Sequence, residues 1–217
     1  MTAPGPPGVV FCGLPACPDA DEETPMSHTD TDAHTDPAAS PAATLARWLD
    51  DEQRVRATLG PPGVARPAQI AHLSGMEWFA AIRRGELPSV PIGATMDFLP
   101  IEFEPGRFVF QGRPDLRHAN PMGTIHGGWI ATLLDSCVAC AVHTMLPAGR
   151  AYTTAELKIS YVRALTPQVE RVRAEGRVIH AGRQAGFAEG RLFGPDGRLY
   201  AHATTTCIVL STRAAEG

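Results

Sequence analysis

The sequence has few cysteines, and they form no recognisable framework. Five cysteines occur among 217 residues, an odd number, which speaks against a fold held together by disulfides. Cys137, Cys140 and Cys207 lie in apolar patterns where cysteine behaves as a small hydrophobic residue. The spacing Cys137-x-x-Cys140 has no second such pair in the chain, so we interpret it as core packing rather than a metal or redox site.

Concentrated charge and long apolar runs are also missing. The net charge is -4 and the basic residues are scattered, which excludes the basic surface that nucleic acid or an anionic membrane requires. No run reaches the roughly 18 apolar residues of a membrane-spanning helix, and the first residues lack the basic and apolar parts of a secretory signal. We therefore expect a cytoplasmic protein without nucleic acid or membrane partners.

The length allows one domain with extensions. A single domain with a core takes about 100–150 residues, so part of the 217 residues must lie in extensions. Residues 1–43 are rich in Pro, Ala, Thr, Asp and Gly without an apolar period, so we expect a disordered leader. We then expect an accessory helical segment over 44–89, the main domain over 90–211 and a tail over 212–217.

Two helical patterns make up the accessory segment. One runs through residues 44–59, and a second occupies residues 67–87 and stops before Pro88. The apolar side chains at helical spacing in the first pattern are Leu45, Trp48, Leu49, Val55 and Leu59.

The main domain combines strand patterns with one apolar helix. The strand patterns occupy residues 106–113, 152–163, 169–182, 184–194 and 198–210. Short turns between neighbouring patterns predict antiparallel pairing. Residues 129–146 form a helix that is too apolar for a solvated surface. A sheet of about five or six strands that curls around this helix buries it, so the predicted fold class is α+β.

One strand pattern alternates clearly. Within residues 152–163, alternation predicts that two sets of side chains lie on opposite faces of the strand. The first set is Thr153, Ala155, Leu157, Ile159 and Tyr161, and the second is Thr154, Glu156, Lys158 and Ser160.

The stretch NPMGTIHGGWIATLLD, residues 120–135, introduces the apolar helix with glycines. Gly123, Gly127 and Gly128 allow a ligand to approach the backbone, so we expect them to line a substrate site. The free N–H groups and the positive dipole end of a helix start favour the oxyanion of an attacked carbonyl. Packing against a strand would explain the same glycines.

Asp135 is the single carboxylate on this helix. Its neighbours one turn away are small and mostly apolar, which makes a charge costly unless it has a purpose or a partner. It is either catalytic or a structural aspartate paired with a backbone group or an arginine such as Arg163. Gly127 lies eight residues earlier, about 12 Å along a helix, whereas both groups must lie about 3 Å from the reacting atoms. A symmetric dimer would bring Gly127 of one copy to Asp135 of the other.

These residues resemble a known family. The spacing from Asn120 through His126-Gly127-Gly128 to Asp135, followed by TTAELKISYVR at 153–163, is similar to the PaaI-like branch of the hotdog-fold acyl-CoA thioesterases over residues 90–211. The resemblance implies a curved antiparallel sheet wrapped around a central helix, here preceded by accessory helices. It also implies a homodimer or homotetramer that hydrolyses acyl-CoA or aryl-CoA without a metal or redox cofactor.

The resemblance implies roles for five residues. Asp135 acts as general base or nucleophile, and the Gly127 backbone N–H polarises the thioester carbonyl. Asn120 holds the thioester or the water, and Thr154 helps to position the water. His126 orients the loop or contacts the carbonyl.

Two other functions stay open from the sequence. A hydratase or dehydratase of acyl thioesters would need a different arrangement of histidine and acid. A non-catalytic acyl-CoA-binding module would not need Asp135, Asn120 and Thr154 together, so their joint presence favours the enzyme. The acyl preference is not fixed by the sequence.

Overall fold

The computed structural model describes residues 39–212, and the predicted disordered leader and the tail fall almost wholly outside this range. The helices within it are α1 Pro41–Arg56, α2 Pro67–Ile70, α3 Gly75–Arg83, α4 Pro91–Met96 and α5 Gly127–Thr144. The strands are β1 Phe98–Glu104, β2 Arg107–Gly112, β3 Arg150–Tyr161, β4 Val172–Ala181, β5 Ala185–Phe193 and β6 Leu199–Ser211. No helix in the described range is long and apolar enough to cross a membrane.

The six strands form one antiparallel sheet in the order β1-β2-β4-β5-β6-β3. Helix α5 contacts every strand of this sheet, which requires the sheet to curve around it. The predicted α+β fold, a curved antiparallel sheet wrapped around a central helix, is confirmed. Strand β3 lies at one edge of the sheet.

Helix α5 approaches the sheet closely because glycines lie beneath it. Gly176 on β4 pairs with Gly190 on β5. A Cβ at Gly176 would lie 2.3 Å from the Cys137 carbonyl oxygen, and one at Gly190 would lie 2.6 Å from a Val138 methyl carbon. Any larger residue would push the helix away from the sheet. Two rows of apolar side chains at i, i+4 spacing lie along the predicted helix, and their members are buried except Met145, which lies just beyond the end of α5 and is 45% exposed. The rows are Trp129, Leu133, Cys137 and Ala141, and Ile130, Leu134, Val138, Val142 and Met145.

Helix α1 packs on the opposite face of the sheet from α5. Trp48 is fully buried there, and its carbonyl accepts a hydrogen bond from Gln111 Nε2 on β2 at 3.0 Å. Arg173 on β4 lies 4.7 Å above the Trp48 ring and pairs with Asp51 at 2.6 Å. Leu49, which the helical spacing placed on the apolar face, is instead 37% exposed.

The second accessory pattern is two helices rather than one. Helix α2 ends at Ile70, and α3 begins after Ser74, whose hydroxyl accepts from the Glu77 N–H while Glu77 accepts from the Ser74 N–H at 2.8 Å. This reciprocal cap starts a new helix. Helix α4 and strand β1 were not predicted from the sequence. Strand β1 contains Pro100, which has no backbone N–H to donate. An edge strand tolerates this loss.

Candidate active site

Asp135 lies half-buried in the middle of α5 and has a hydroxyl partner. Thr154 Oγ1 on β3 donates a hydrogen bond to Asp135 Oδ1 at 3.0 Å. The carboxylate is therefore held by a side chain of the edge strand. No ion pair joins Asp135 to Arg163 among the pairs of residues 39–212, so the structural alternative with that arginine is not what the structure contains.

A β-bulge turns Thr154 toward Asp135. The register between β3 and β6 shifts between Thr154 and Glu156. Before the shift Thr154 pairs with the buried Cys207, and after it Leu157 pairs with the buried Thr205. Thr154 and Leu157 therefore share the inward face, although strict alternation placed them on opposite faces. Bulges re-aim side chains in this way beside active sites.

The start of α5 leaves one backbone donor unused. His126 is the N-cap residue, and its Nδ1 accepts from the Gly128 N–H at 2.9 Å. The His126 carbonyl accepts from the N–H groups of Trp129 and Ile130. Of the four N–H groups that a helix start leaves without helical partners, only that of Gly127 donates to no group within residues 39–212. It lies at the positive end of the helix dipole, where an oxyanion is favoured.

Tyr161 at the end of β3 fixes this helix start. Its hydroxyl donates to the Gly127 carbonyl at 3.0 Å, and a Cβ at Gly127 would lie 3.2 Å from the tyrosine ring. No role in the site was predicted for Tyr161 from the sequence. The sequence feature that could have indicated such a role is its place in the alternating pattern with Leu157 and Ile159.

Asn120 shapes the loop that leads into α5. Its Oδ1 accepts from the Met122 N–H at 2.8 Å, and its Nδ2 donates to Thr124 Oγ1 at 2.7 Å. Nδ2 carries a second hydrogen that remains available to a ligand. Gly123 has a φ of 86°, a conformation that glycine adopts readily, and its N–H donates to the Asn120 carbonyl.

The predicted site residues thus form two groups on one chain. Asp135 and Thr154 are joined directly, whereas Asn120, Gly123, His126, Gly127 and Gly128 gather at the helix start. The Gly128 N–H already donates to His126, so it is not available to a substrate. Gly128 can contribute only the space left by the absence of a side chain.

Thiols surround the inner side of Asp135 without being reactive. Burial raises the pKa of Cys140 to about 12 and raises the pKa of Cys137 and Cys207 as well. A protonated thiol is neither a nucleophile nor a metal ligand. Within residues 39–212, no three His, Cys, Asp or Glu side chains are grouped to hold a metal ion.

Comparison with known proteins finds a family that is similar to the part of the chain that carries this geometry. Residues 122–201 match the model of the thioesterase superfamily. The matched residues include α5 with Asp135, and β3 with Thr154. No curated protein matches the chain.

Solved structures agree with the superfamily. A thioesterase family protein from Silicibacter pomeroyi is 26% identical with a TM-score of 0.52, over 56% of this chain and 90% of its own. A phenylacetic acid degradation-related protein from Ralstonia eutropha is 27% identical with a TM-score of 0.56, over 60% of this chain and 98% of its own. The PaaI protein of E. coli, 18% identical over 55% of this chain and 84% of its own, with a TM-score of 0.51, shares the fold.

These thioesterase relatives confirm the PaaI-like hotdog assignment and identify the chain as a thioester hydrolase. They match slightly more than half of it, so roughly two fifths of the residues lie outside the likeness.

Proposed function

We propose that the protein hydrolyses acyl-CoA or aryl-CoA thioesters to the free acid and coenzyme A. Asp135 is the catalytic carboxylate, and Thr154 holds it in position through the 3.0 Å hydrogen bond. The Gly127 N–H, unused within residues 39–212, is the oxyanion donor. The observation that carries the proposal is the presence of this held carboxylate and this free donor on the same helix of a thioesterase-superfamily domain.

The two groups act on one carbonyl only if two copies combine. Helix α5 is continuous from Gly127 to Thr144, so eight residues separate Gly127 from Asp135 by about 12 Å. A reacting carbonyl needs both within about 3 Å. In a symmetric dimer, Asp135 of one subunit and Gly127 of the partner subunit would complete each of two sites.

Strand β3 supports this dimer because it is an edge strand of the described sheet. Edge strands offer unpaired backbone groups to another chain. The side of α5 next to β3 is half-buried rather than covered, and its residues there are Ala131, Thr132, Asp135 and Ser136. Small side chains let a second helix approach closely. Antiparallel pairing of two β3 strands would extend the sheet and bring the two α5 helices side by side.

In the proposed reaction, Asp135 takes a proton from water while the water oxygen attacks the thioester carbon. The N–H of Gly127 of the partner subunit then stabilises the oxyanion. When the carbon–sulfur bond breaks, its electron pair leaves with the coenzyme A sulfur, which takes the proton. As a nucleophile, Asp135 would instead form an anhydride with the acyl group, and water would cleave it afterwards.

The test is release of free thiol from a panel of acyl-CoAs by the purified protein, with Asp135→Asn and Asp135→Ala beside the wild type. We expect both variants to lose at least about 100-fold in kcat, the scale of a general acid–base group. Full activity in both would overturn the assignment of Asp135. A wild-type protein that is inactive on every thioester would favour an acyl-CoA-binding module.

A further inference from the structure

Asp97 lies where helix α1 meets the loop that leads into α5. It ends α4 with a φ of 55° and a ψ of 56°, and within residues 39–212 it is the only residue other than glycine with a positive φ. This left-handed conformation is uncommon for a residue with a side chain, although aspartate tolerates it better than most. Such a residue persists where its surroundings fix it in place.

The Asp97 carboxylate joins two arginines that are distant in sequence. Its Oδ1 accepts from Arg56 Nη2 at the end of α1 at 2.9 Å, and its Oδ2 accepts from Arg117 Nη2 at 2.9 Å. The Asp97 side chain is 17% exposed. A single exposed ion pair contributes little to stability, but a network around one mostly buried carboxylate contributes more.

The backbone on either side of this carboxylate makes two further contacts. The Arg113 N–H, just after β2, donates to the Asp97 carbonyl at 3.0 Å. Trp129 Nε1, in the first turn of α5, donates to the Met96 carbonyl at 2.8 Å. The turn at Asp97 therefore contacts the end of β2, the loop before α5 and α5 itself.

The loop before α5 passes this contact on to the helix start. Arg117 belongs to a turn of 3₁₀ helix, Leu116–His118. The His118 carbonyl accepts from the N–H of His126, the cap of α5, at 2.8 Å. The buried His118 ring stacks on Trp129, with ring centroids 5.4 Å apart and planes 23° apart. Contacts thus run without a break from Asp97 through this turn to the cap of α5.

We propose that Asp97 is a positioning residue for the proposed active site. It fixes the loop before α5, and with it the Gly127 N–H, to helix α1 of the accessory segment. The inference rests on the proposed thioester hydrolysis and gives it a contribution from residues outside the matched range 122–201. An oxyanion donor acts only when it is already held in place, so a loosened helix start lowers kcat more than it changes KM.

Four variants separate the contacts of Asp97. Asp97→Asn removes the charge and keeps a residue that tolerates the left-handed conformation, and Asp97→Gly keeps the backbone and removes the side chain. Arg117→Gln breaks the contact with the loop, and Arg56→Gln breaks the contact with α1. The matched control is Glu86→Gln, because Glu86 binds Arg84 through two hydrogen bonds of 2.7 and 2.6 Å in an exposed pair after α3. Thermal melting shows whether each variant is folded.

The first measurement is kcat and KM for hexanoyl-CoA and phenylacetyl-CoA. We expect both Asp97 variants and Arg117→Gln to lower kcat about tenfold, within the roughly 10²-fold that a small displacement far from the chemistry can cost. KM should change little, and Arg56→Gln should lower kcat less because the loop keeps its own contact. Glu86→Gln should match the wild type.

The double variant Asp97→Asn with Arg117→Gln tests whether the two residues act through one contact. Its kcat should be no lower than that of either single variant, because both changes remove the same interaction. Unchanged kcat in the folded Asp97 variants, or single losses that multiply in the double variant, overturns the proposal.

The second measurement does not depend on hydrolysis. Hydrogen exchange of the intact protein compares the backbone amides of residues 113–130 with those of β4 and β5. Asp97→Asn and Arg117→Gln should speed exchange in residues 113–130 by about tenfold, the effect of losing a hydrogen bond to a charged group on local opening. The strands should exchange as in the wild type, and Glu86→Gln should change neither.

The two measurements together distinguish the possible failures. If the wild type hydrolyses no thioester but exchange still rises in residues 113–130, the proposed enzyme function fails and the attachment through Asp97 stands. If hydrolysis is normal and neither kcat nor exchange changes in the variants, the attachment fails and the enzyme function stands. Faster exchange with an unchanged kcat overturns the positioning role.

Discussion

Asp135 was the residue that the sequence marked most clearly, because a charge among small apolar neighbours on a buried helix is costly. The structure gives it a hydroxyl partner, Thr154, instead of an arginine. Thr154 could be assigned from the family resemblance but not from periodicity. Alternation placed it opposite Leu157, and only the bulge between Thr154 and Glu156 brings it to the inward face.

Neighbouring threonines test this geometry at the level of single residues. Thr154→Val removes the hydrogen bond to Asp135, and we expect thioesterase activity to fall about tenfold or more, the scale of one hydrogen bond to a charged group. Thr153→Val makes the same chemical change on an exposed position of the same strand, and activity should be unchanged. Equal losses in the two variants would show that the bulge does not direct Thr154 to the carboxylate.

His126 has a structural role at the start of α5. Its Nδ1 caps α5 by accepting from the Gly128 N–H. It thereby orients the helix start, and the Gly127 N–H has no acceptor in the described part of the chain. The predicted alternative, direct contact with the thioester carbonyl, stays a prediction for Nε2, the ring nitrogen that the cap does not use.

At the level of elements, the apolar period predicted α5 well because its two i, i+4 rows contact the sheet along the whole helix. The helix begins two residues earlier than predicted, at Gly127, because His126 caps it. Residues 67–87 carry one continuous period but form two helices, since the Ser74 and Glu77 cap ends the pattern. That cap signature is visible in the sequence as Ser-x-x-Glu.

The helix start can be tested with two substitutions of one glycine. Gly127→Pro deletes the backbone N–H at the first helical position, where proline is favoured, and His126 already has the extended conformation that precedes proline. Gly127→Ala adds a Cβ against Tyr161 but keeps the N–H. We expect kcat of the proline variant to lie about 10²–10³-fold below that of the alanine variant, as for removal of one oxyanion donor. If the two variants are equally active, the oxyanion donor is another group.

At the level of the whole molecule, the proposed active site is divided over the single chain. The proposed catalytic carboxylate and the proposed oxyanion donor lie about 12 Å apart on α5, and the edge strand β3 has one unpaired side in the described sheet. The proposed symmetric dimer would account for both features.

Subunit mixing tests the shared site. Asp135→Ala and Gly127→Pro should each be inactive alone. After equal amounts are unfolded and refolded together, about half of the dimers are mixed, and one of the two sites in each has both groups intact. We expect recovery of about a quarter of the wild-type rate. No recovery, with mixed dimers demonstrated by native mass spectrometry, would place both groups of each site on one chain.

The sequence by itself determined the α+β class, the central helix and the position of the lone carboxylate, because each depends on local period or on a charge in an apolar pattern. It also determined the glycine-rich helix start, since glycine and a capping residue act within one turn. Only the tertiary structure decided which side chain meets Asp135, because a one-residue bulge reverses the faces of a strand. Only packing of distant segments decided that α3 lies against His143, since no local period records which elements touch.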